Sequence, residues 1–189
     1  MTEQEQLTLP DVASWRAWLD QHEETSEGVW LVMAKKGVTS PTSLGYADAL
    51  QEALCSGWID GQRKSRDETT FLQRFTPRRK TSIWSQRNVG YVEALISEGR
   101  MRERGFAEIE RAQADGRWDR AYAGQAGAQV PEDLAAALEV SPTAKATFAA
   151  LGSQGRYHVL HQLMIAATPV TRRRRLEKFM AKLDRGETP

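Results

Sequence analysis

Alternating polar and apolar positions predict a β-hairpin over Gly57–Thr76. In an extended segment, the even positions of Trp58–Lys64 share one face and the odd positions share the other. A polar cluster at Arg66–Glu68 interrupts the alternation, which resumes over Phe71–Thr76. Pro77 is expected to end the second strand, because proline has no N–H to donate to a strand ladder.

The rest of the N-terminal two thirds is predicted to form one further strand and four helices. The apolar run Val29–Lys36 is short and bounded by glycines, which favours a strand. Helical spacing of apolar residues, with capping side chains before them and glycines after them, predicts the helices. Their predicted starts are near Asp11, Tyr46, Ser82 or Ser85, and Met101.

The C-terminal third is predicted to be all-helical and to follow a Gly-rich linker at Ala121–Val130. Helices are expected to start at Pro131 and at Ser141, a third carries Tyr157, and Thr171 is expected to cap a fourth. We therefore expect an α+β protein. A small antiparallel sheet with a hairpin flanked by helices occupies a domain at 1–122, and an all-helical C-terminal module occupies 123–189.

Composition restricts the chain to a few classes of protein. Its 189 residues, 40% hydrophobic and 27% charged, are typical of a globular protein. A net charge of +1 gives weak global attraction to nucleic acid or acidic lipid, so an anion site must arise from local clustering. The lone Cys55 excludes an internal disulfide and fits a reducing compartment. Because no signal peptide or membrane span is recognisable, we expect a cytoplasmic protein.

Sequence motifs of the common catalytic classes are absent, since there is no P-loop, GxGxxG, GxSxG or HExxH. His158 and His161 could reach one metal ion from a helix, but no third ligand is signalled nearby. Cys55 is expected in the core, because no base is placed beside it in sequence. We expect no metal site and no cofactor, and we assign no catalytic residue.

Cations and hydroxyl groups after the hairpin predict a candidate anion site. The run Arg78–Lys80 precedes a helix start whose unpaired N–H groups suit a phosphate or carboxylate. The hairpin should return Arg78 to the start of its first strand, and Lys35 or Lys36 can join from the neighbouring strand. The residues predicted to converge are Trp58, Asp60, Arg78, Ser82, Trp84, Ser85 and Asn88.

Structural alternatives remain open for the same residues. The tryptophans can be core anchors, and the serines can simply cap the helix. Asp60 can pair with Arg74 or Arg78, because an unpaired buried carboxylate is costly. The run Arg172–Arg175 can bind nucleic acid, or it can lie on a solvated helix face.

Several short motifs occur in a fixed order along nearly the whole chain. They are Trp18-Leu19, Val29–Leu31 with Lys35-Lys36, Ala53–Gly61, Phe75–Arg78, Ser82–Asn88, Val130–Leu134 and Thr171–Arg175. The ordered set resembles the YdeI/OmpD-associated family, whose members are labelled bacteriocin-protection proteins. The resemblance implies a bacterial protein of stress or antimicrobial-peptide tolerance with a recognisable helical C-terminal module. It supplies no catalytic residues.

We expect a non-enzymatic tolerance protein that binds a small anionic ligand or a protein partner. The alternative is a nucleic-acid-binding or regulatory module that uses the hairpin and the basic runs. An enzyme with an unrecognised site is a third option. Phosphate contacts make nucleic-acid binding steeply salt-dependent, which distinguishes the second class from the first.

Overall fold

The computed structural model describes residues 6–188 and divides the chain into two compact units. Unit 1 contains the chain up to Ser82 together with Asn88–Trp118, and unit 2 contains Ile83–Arg87 and the chain from Asp119 onward. The strands are Gln6–Leu7 (β1), Val29–Ala34 (β2), Trp58–Ser65 (β3) and Thr70–Pro77 (β4). The helices are Val12–His22 (α1), Tyr46–Cys55 (α2), Gln86–Ser97 (α3), Glu103–Ala114 (α4), Glu132–Val140 (α5), Pro142–Ala150 (α6), Ser153–Met164 (α7) and Pro169–Asp184 (α8).

The sheet of unit 1 has the strand order β1-β2-β4-β3. β3 and β4 form the predicted hairpin, and β2 pairs antiparallel with β4. This confirms the α+β class and the antiparallel centre of the sheet. Strand β1, which was not predicted, adds a two-residue parallel pairing with β2 at one edge of the sheet.

A β-bulge interrupts the alternation in β3. Asp60 pairs with Phe75 and Arg63 pairs with Gln73, so Gly61 and Gln62 together oppose a single residue of β4. The extra residue shifts every later side chain of β3 by one position. The predicted common face of Trp58–Lys64 is therefore wrong beyond the bulge, and the Lys64 ammonium lies 4.1 Å from the centre of the Trp30 ring.

An aromatic cluster joins the sheet to α1. Trp15 and Trp58 are fully buried, and their rings meet edge to face with centroids 6.4 Å apart. Trp18 contacts the same Trp58 ring at 5.8 Å, also edge to face. The Trp15 indole donates to the carbonyl of Ala49 on α2 at 3.1 Å, which satisfies its buried N–H. Both indoles of α1 therefore pack against the Trp58 side of the sheet.

Glu52 on α2 is a buried charged centre of unit 1, with a side chain only 2% exposed. Arg16 donates to both of its carboxylate oxygens, at 2.9 and 2.6 Å, and Arg100 donates to Oε1 at 2.6 Å. Arg102 lies 3.6 Å from Oε2. Burial raises the pKa of Glu52, but the hydrogen bonds from Arg16 and Arg100 outweigh it and hold the pKa below its ordinary value. The carboxylate thus ties α1 and the α3–α4 connection to α2.

Two glycines allow α2 and α4 to approach closely. A Cβ at Gly105 on α4 would collide with the carbonyl oxygen of Cys55 at the end of α2. Gly57 follows α2 with φ +69°, where a Cβ would also lie 3.0 Å from the carbonyl oxygen of Arg104. Only glycine combines this left-handed backbone with so little space.

Unit 2 is built mainly from α5 to α8, which confirms the predicted helical C-terminal module. Its core consists of Leu134, Leu138, Ala144, Phe148, Leu151, Val159, Leu160, Leu163, Phe179 and Leu183. Ser141 caps α6, as predicted, by accepting from the backbone N–H of Ala144. The cap predicted at Thr171 was wrong: Thr168 accepts from the N–H of Thr171, and Pro169 takes the first helical position. No helix within residues 6–188 is long and apolar enough to cross a membrane.

Candidate anion-binding site

The hairpin returns Arg78 to the start of β3, as expected. The N–H of Arg78 donates to the carbonyl of Gly57 at 3.0 Å. Arg78 is only 5% exposed, and Trp58 has no exposed surface and donates from its indole to the carbonyl of Glu23 at 3.4 Å. Asp60 is half-buried and accepts from the Tyr46 hydroxyl at 2.7 Å. These residues lie together in unit 1, but mostly below its surface.

The other members of the predicted cluster are distributed over both units. In unit 1, Asn88 is buried on α3, and the Ser82 hydroxyl accepts from the N–H of Arg79 at 2.9 Å. Ser82 therefore caps a turn before the helix. In unit 2, Trp84 is buried, its carbonyl accepts from the N–H of Tyr122 at 3.0 Å, and Ser85 forms a parallel bridge with the same residue.

Lys35 and Lys36 lie at the opposite end of the hairpin from Arg78. The N–H of Lys35 donates to Thr69, and its ammonium donates to the carbonyl of Asp67 at 2.8 Å, both in the hairpin turn. The length of β4, eight residues, separates this turn from Arg78 by roughly 25 Å. One small ligand therefore does not reach both groups.

A groove between α7 and α8 is lined by several cations of unit 2. Its volume is about 580 Å³, within the usual range for small-molecule sites. We call it the basic groove and define it by His158, Gln162, Arg174, Arg175, Lys178, Phe179 and Lys182. None of these described lining residues is acidic. An anion in this groove would meet cations without competition from a carboxylate on its walls.

The cations of the basic groove form one stripe along α8. Arg174, Lys178 and Lys182 follow one another at four-residue spacing, and Arg175 lies beside them. At 3.6 residues per turn, all four fall within an arc of about 100°. Like charges four residues apart destabilise a helix. Glu177, three residues after Arg174, and Glu187, whose pKa is lowered by its pairing with Arg185 and also by Lys182, offset part of this repulsion.

The local sequence around the groove is strongly basic. No Asp or Glu occurs between Glu139 and Glu177. Residues 140–186 contain nine Lys and Arg residues and two acids, which gives a net charge of +7 in a chain whose total is +1. A charged surface of this kind attracts anions locally even though the whole molecule is nearly neutral.

The arginine run at the start of α8 divides into structural and exposed members. Arg172 binds both carboxylate oxygens of Asp133, at 2.7 and 2.8 Å, and its pKa is raised by this pairing. Arg175 donates to the carbonyl of Gln162, which fixes its guanidinium against α7. Arg174 and Arg173 are exposed, but only Arg174 lines the groove.

The two histidines of α7 make separate contacts. The His158 ring meets Phe179 edge to face, with centroids 6.0 Å apart. The His161 ring meets Tyr122 edge to face at 4.7 Å, and burial lowers its pKa, which favours the neutral imidazole. Residues 6–188 contain no group of three or more His, Cys, Asp or Glu side chains placed to hold a metal ion.

Two family models match the chain in consecutive segments. Residues 7–108, more than half of the 189 residues, match a domain of unknown function, DUF8412. The chain belongs to the DUF8412 family. Residues 127–186 match the OmdA model, described as bacteriocin-protection, YdeI or OmpD-associated. No curated protein and no solved structure matches the chain.

The OmdA match confirms the predicted YdeI/OmpD-associated resemblance for the C-terminal part. It includes the motifs Val130–Leu134 and Thr171–Arg175, whereas the motifs from Trp18 to Asn88 lie in the DUF8412 segment. The resemblance is therefore narrower than the nearly full coverage expected from the motifs. All residues of the basic groove lie within the OmdA segment.

Some residues of the basic groove were predicted from the sequence to have other roles. The arginine run was interpreted as a nucleic-acid contact or a solvated face, and His158 as half of a metal pair. Lys178 and Lys182 were not included in any site. The signal that finds them is the combination of an acid-free segment with basic residues at four-residue spacing on one helix.

Proposed function

We propose that this protein is a non-enzymatic binding protein of bacteriocin or stress tolerance in bacteria, and that it acts by holding a small anionic ligand in the basic groove. The observation that carries the proposal is a stripe of four cations with no acidic residue among the described groove walls. The OmdA description links the same segment to bacteriocin protection.

The basic groove suits a ligand better than the cluster predicted around Arg78. Arg174, Lys178 and His158 are exposed, so an anion can reach them without a change in the fold. Arg78 and Trp58 are almost completely buried, and displacing such large buried groups costs packing. The Arg78 cluster is thus better suited to support the hairpin.

Nucleic-acid binding is a second candidate, favoured by the net charge of +7 over residues 140–186. The near-zero charge of the whole chain weighs against it, because the remaining residues carry a net charge of −6 that repels a long polyanion. A small anion contacts only the groove and experiences less of that repulsion.

The proposal predicts that tolerance depends on the groove cations. We would delete the gene in its own bacterium and restore it as wild type, as Arg174→Ala/Lys178→Ala, or as Lys145→Ala/Arg173→Ala. The control removes the same charge from exposed residues of the same unit that do not line the groove. Bacteriocin killing curves should show restored survival with wild type and control, and lost survival with the groove variant.

Immunoblots must show equal amounts of all three proteins. Full tolerance with the groove variant would contradict the proposal, as would unchanged survival after the gene is deleted.

A further inference from the structure

We infer that the basic groove binds a nucleotide that carries a chain of phosphates, an inference that rests on the proposed anion-binding function. The phosphates would lie along Arg174, Lys178 and Lys182. The base would lie on the α7 side of the groove, against the exposed ring of His158, which packs on Phe179. This arrangement assigns a ligand class to a site that the family descriptions do not mention.

The length of the cation stripe selects a chain of anionic groups over a single one. Successive cations are four residues apart on α8, so their Cα atoms are about 6 Å apart and the stripe spans about 12 Å. A single phosphate can contact one or two of these side chains. A triphosphate chain can contact all three, and each additional charge pair strengthens binding.

The walls beside the stripe provide an aromatic surface. The His158 ring is exposed and packs edge to face on Phe179, which is itself only 8% exposed. Nucleobases stack on such rings regardless of base identity. Gln162, one turn along α7 from His158, adds a side-chain amide that can hydrogen-bond a base or sugar. Its backbone carbonyl accepts from Arg175 and holds that side chain in place.

The first measurement is calorimetric titration of the full chain, without divalent cations, with phosphate, pyrophosphate, tripolyphosphate, AMP, ADP and ATP. Affinity should increase with each phosphate in both series. ATP should bind about fivefold or more tightly than tripolyphosphate because its base stacks. Equal affinity for phosphate and tripolyphosphate would contradict binding of a phosphate chain along the stripe. Equal affinity for tripolyphosphate and ATP would contradict a contact with the base.

Paired variants assign the binding to the groove. Arg174→Ala/Lys178→Ala should weaken ATP binding about tenfold, the sum of two partly exposed charge pairs. Lys145→Ala/Arg173→Ala should change it less than about twofold. His158→Ala should weaken ATP but leave tripolyphosphate unchanged, whereas Gln154→Ala, exposed on the same helix and outside the groove, should affect neither. Equal losses in the groove and control variants would place the nucleotide elsewhere.

Two further results separate this inference from its alternatives. A labelled oligonucleotide that binds more tightly than ATP, with a steeper salt dependence, would indicate nucleic acid instead. If the groove variant loses bacteriocin tolerance but no nucleotide binds, the nucleotide inference fails while the proposed function stands. If nucleotides bind as described but tolerance is unaffected, the proposed function fails instead.

Discussion

At the scale of single residues, the Glu52 carboxylate on α2 compensates the charge of three guanidinium groups that approach it from other parts of unit 1. Arg16, Arg100 and Arg102 all approach it, and its side chain is 2% exposed. Removing one member of a buried ion pair costs more than the pair itself contributes, because the remaining charges lose their partner.

We therefore predict that Glu52→Gln lowers the free energy of unfolding by about 3 kcal/mol, measured by urea denaturation at neutral pH. The neutral amide keeps the shape of the side chain but cannot compensate the guanidinium groups. Glu93→Gln, at an exposed position of α3, is the matched control and should change stability by less than about 0.5 kcal/mol. Equal effects of the two substitutions would show that the Glu52 charge is not what stabilises this site.

The same residue predicts a pH dependence. The pKa of Glu52 is lower in the folded chain than its ordinary value of 4.5, so its contribution is fully present above that value and is lost as pH falls through the folded pKa. The stability difference between wild type and Glu52→Gln should be constant near neutral pH and shrink below about pH 4.5. A difference that grows on acidification would contradict the assigned direction of the shift.

The arginine run illustrates which residue roles the sequence alone does not determine. Arg172 pairs with Asp133, which lies 39 positions earlier in the chain, while Arg174 lines the groove. On a helical wheel, Arg172 lies on the same side of α8 as the buried Phe179 and Leu183, and Arg174 lies about 160° away. The wheel separates the two sides, but the partner Asp133 and the groove wall on α7 depend on how α5 and α7 pack against α8.

At the scale of elements, the contact between α2 and α4 depends on Gly105. We predict that Gly105→Ala destabilises the protein by about 1–3 kcal/mol, because the added methyl group collides with the backbone at Cys55. Gly90→Ala is the matched control, since Gly90 is exposed on α3 and a Cβ there meets nothing within 4 Å. It should stabilise the protein by about 0.5–1 kcal/mol through helix propensity. Denaturation midpoints that shift in the same direction would contradict the close approach.

Strong local patterns made most elements predictable. The Asp11 cap, the Gly57 stop and the hairpin were expected because each depends on a few adjacent residues. The bulge in β3 was not, because its register depends on how Gln73 and Phe75 pair across the sheet. Strand β1 has only two residues, too few to produce a pattern.

Most of the candidate site could not be predicted from the sequence, because it also depends on tertiary contacts. The residues around Arg78 were predicted to form an accessible site. A run of cations, hydroxyls and indoles does not show which of them become buried in the fold. The basic groove combines His158 and Gln162 with residues of α8, and this pairing appears only when the two helices pack. Its charge pattern, however, is visible in the sequence between Glu139 and Lys182.

At the scale of the whole molecule, a nearly neutral total conceals two regions of opposite charge. The segment 140–186 carries +7, and the rest of the chain carries −6. The total charge therefore conceals a local excess of positive charge in the segment 140–186. This distribution also explains why the proposed ligand is small, since a long polyanion would extend beyond the basic segment.

The predicted domain boundary at residue 122 leads to the last prediction, that residues 123–189 fold alone. Every member of the unit 2 core lies between Leu134 and Leu183, and the Tyr157 hydroxyl holds the start of the segment by donating to Ala123 at 3.1 Å. A chain of this size buries only about 60% of the surface it exposes when unfolded, so stability should be marginal. Circular dichroism should nevertheless show helix and a cooperative thermal transition.

Two substitutions in the fragment 123–189 test whether its hydrophobic core is what allows it to fold alone. Leu163 is fully buried, so Leu163→Ala should cost about 2–5 kcal/mol and abolish the transition in a fragment of marginal stability. Val140 is 85% exposed, so Val140→Ala should leave the transition within a few degrees of the parent fragment. A parent fragment without a cooperative transition would move the boundary, because residues before 123 would then be needed to complete the fold.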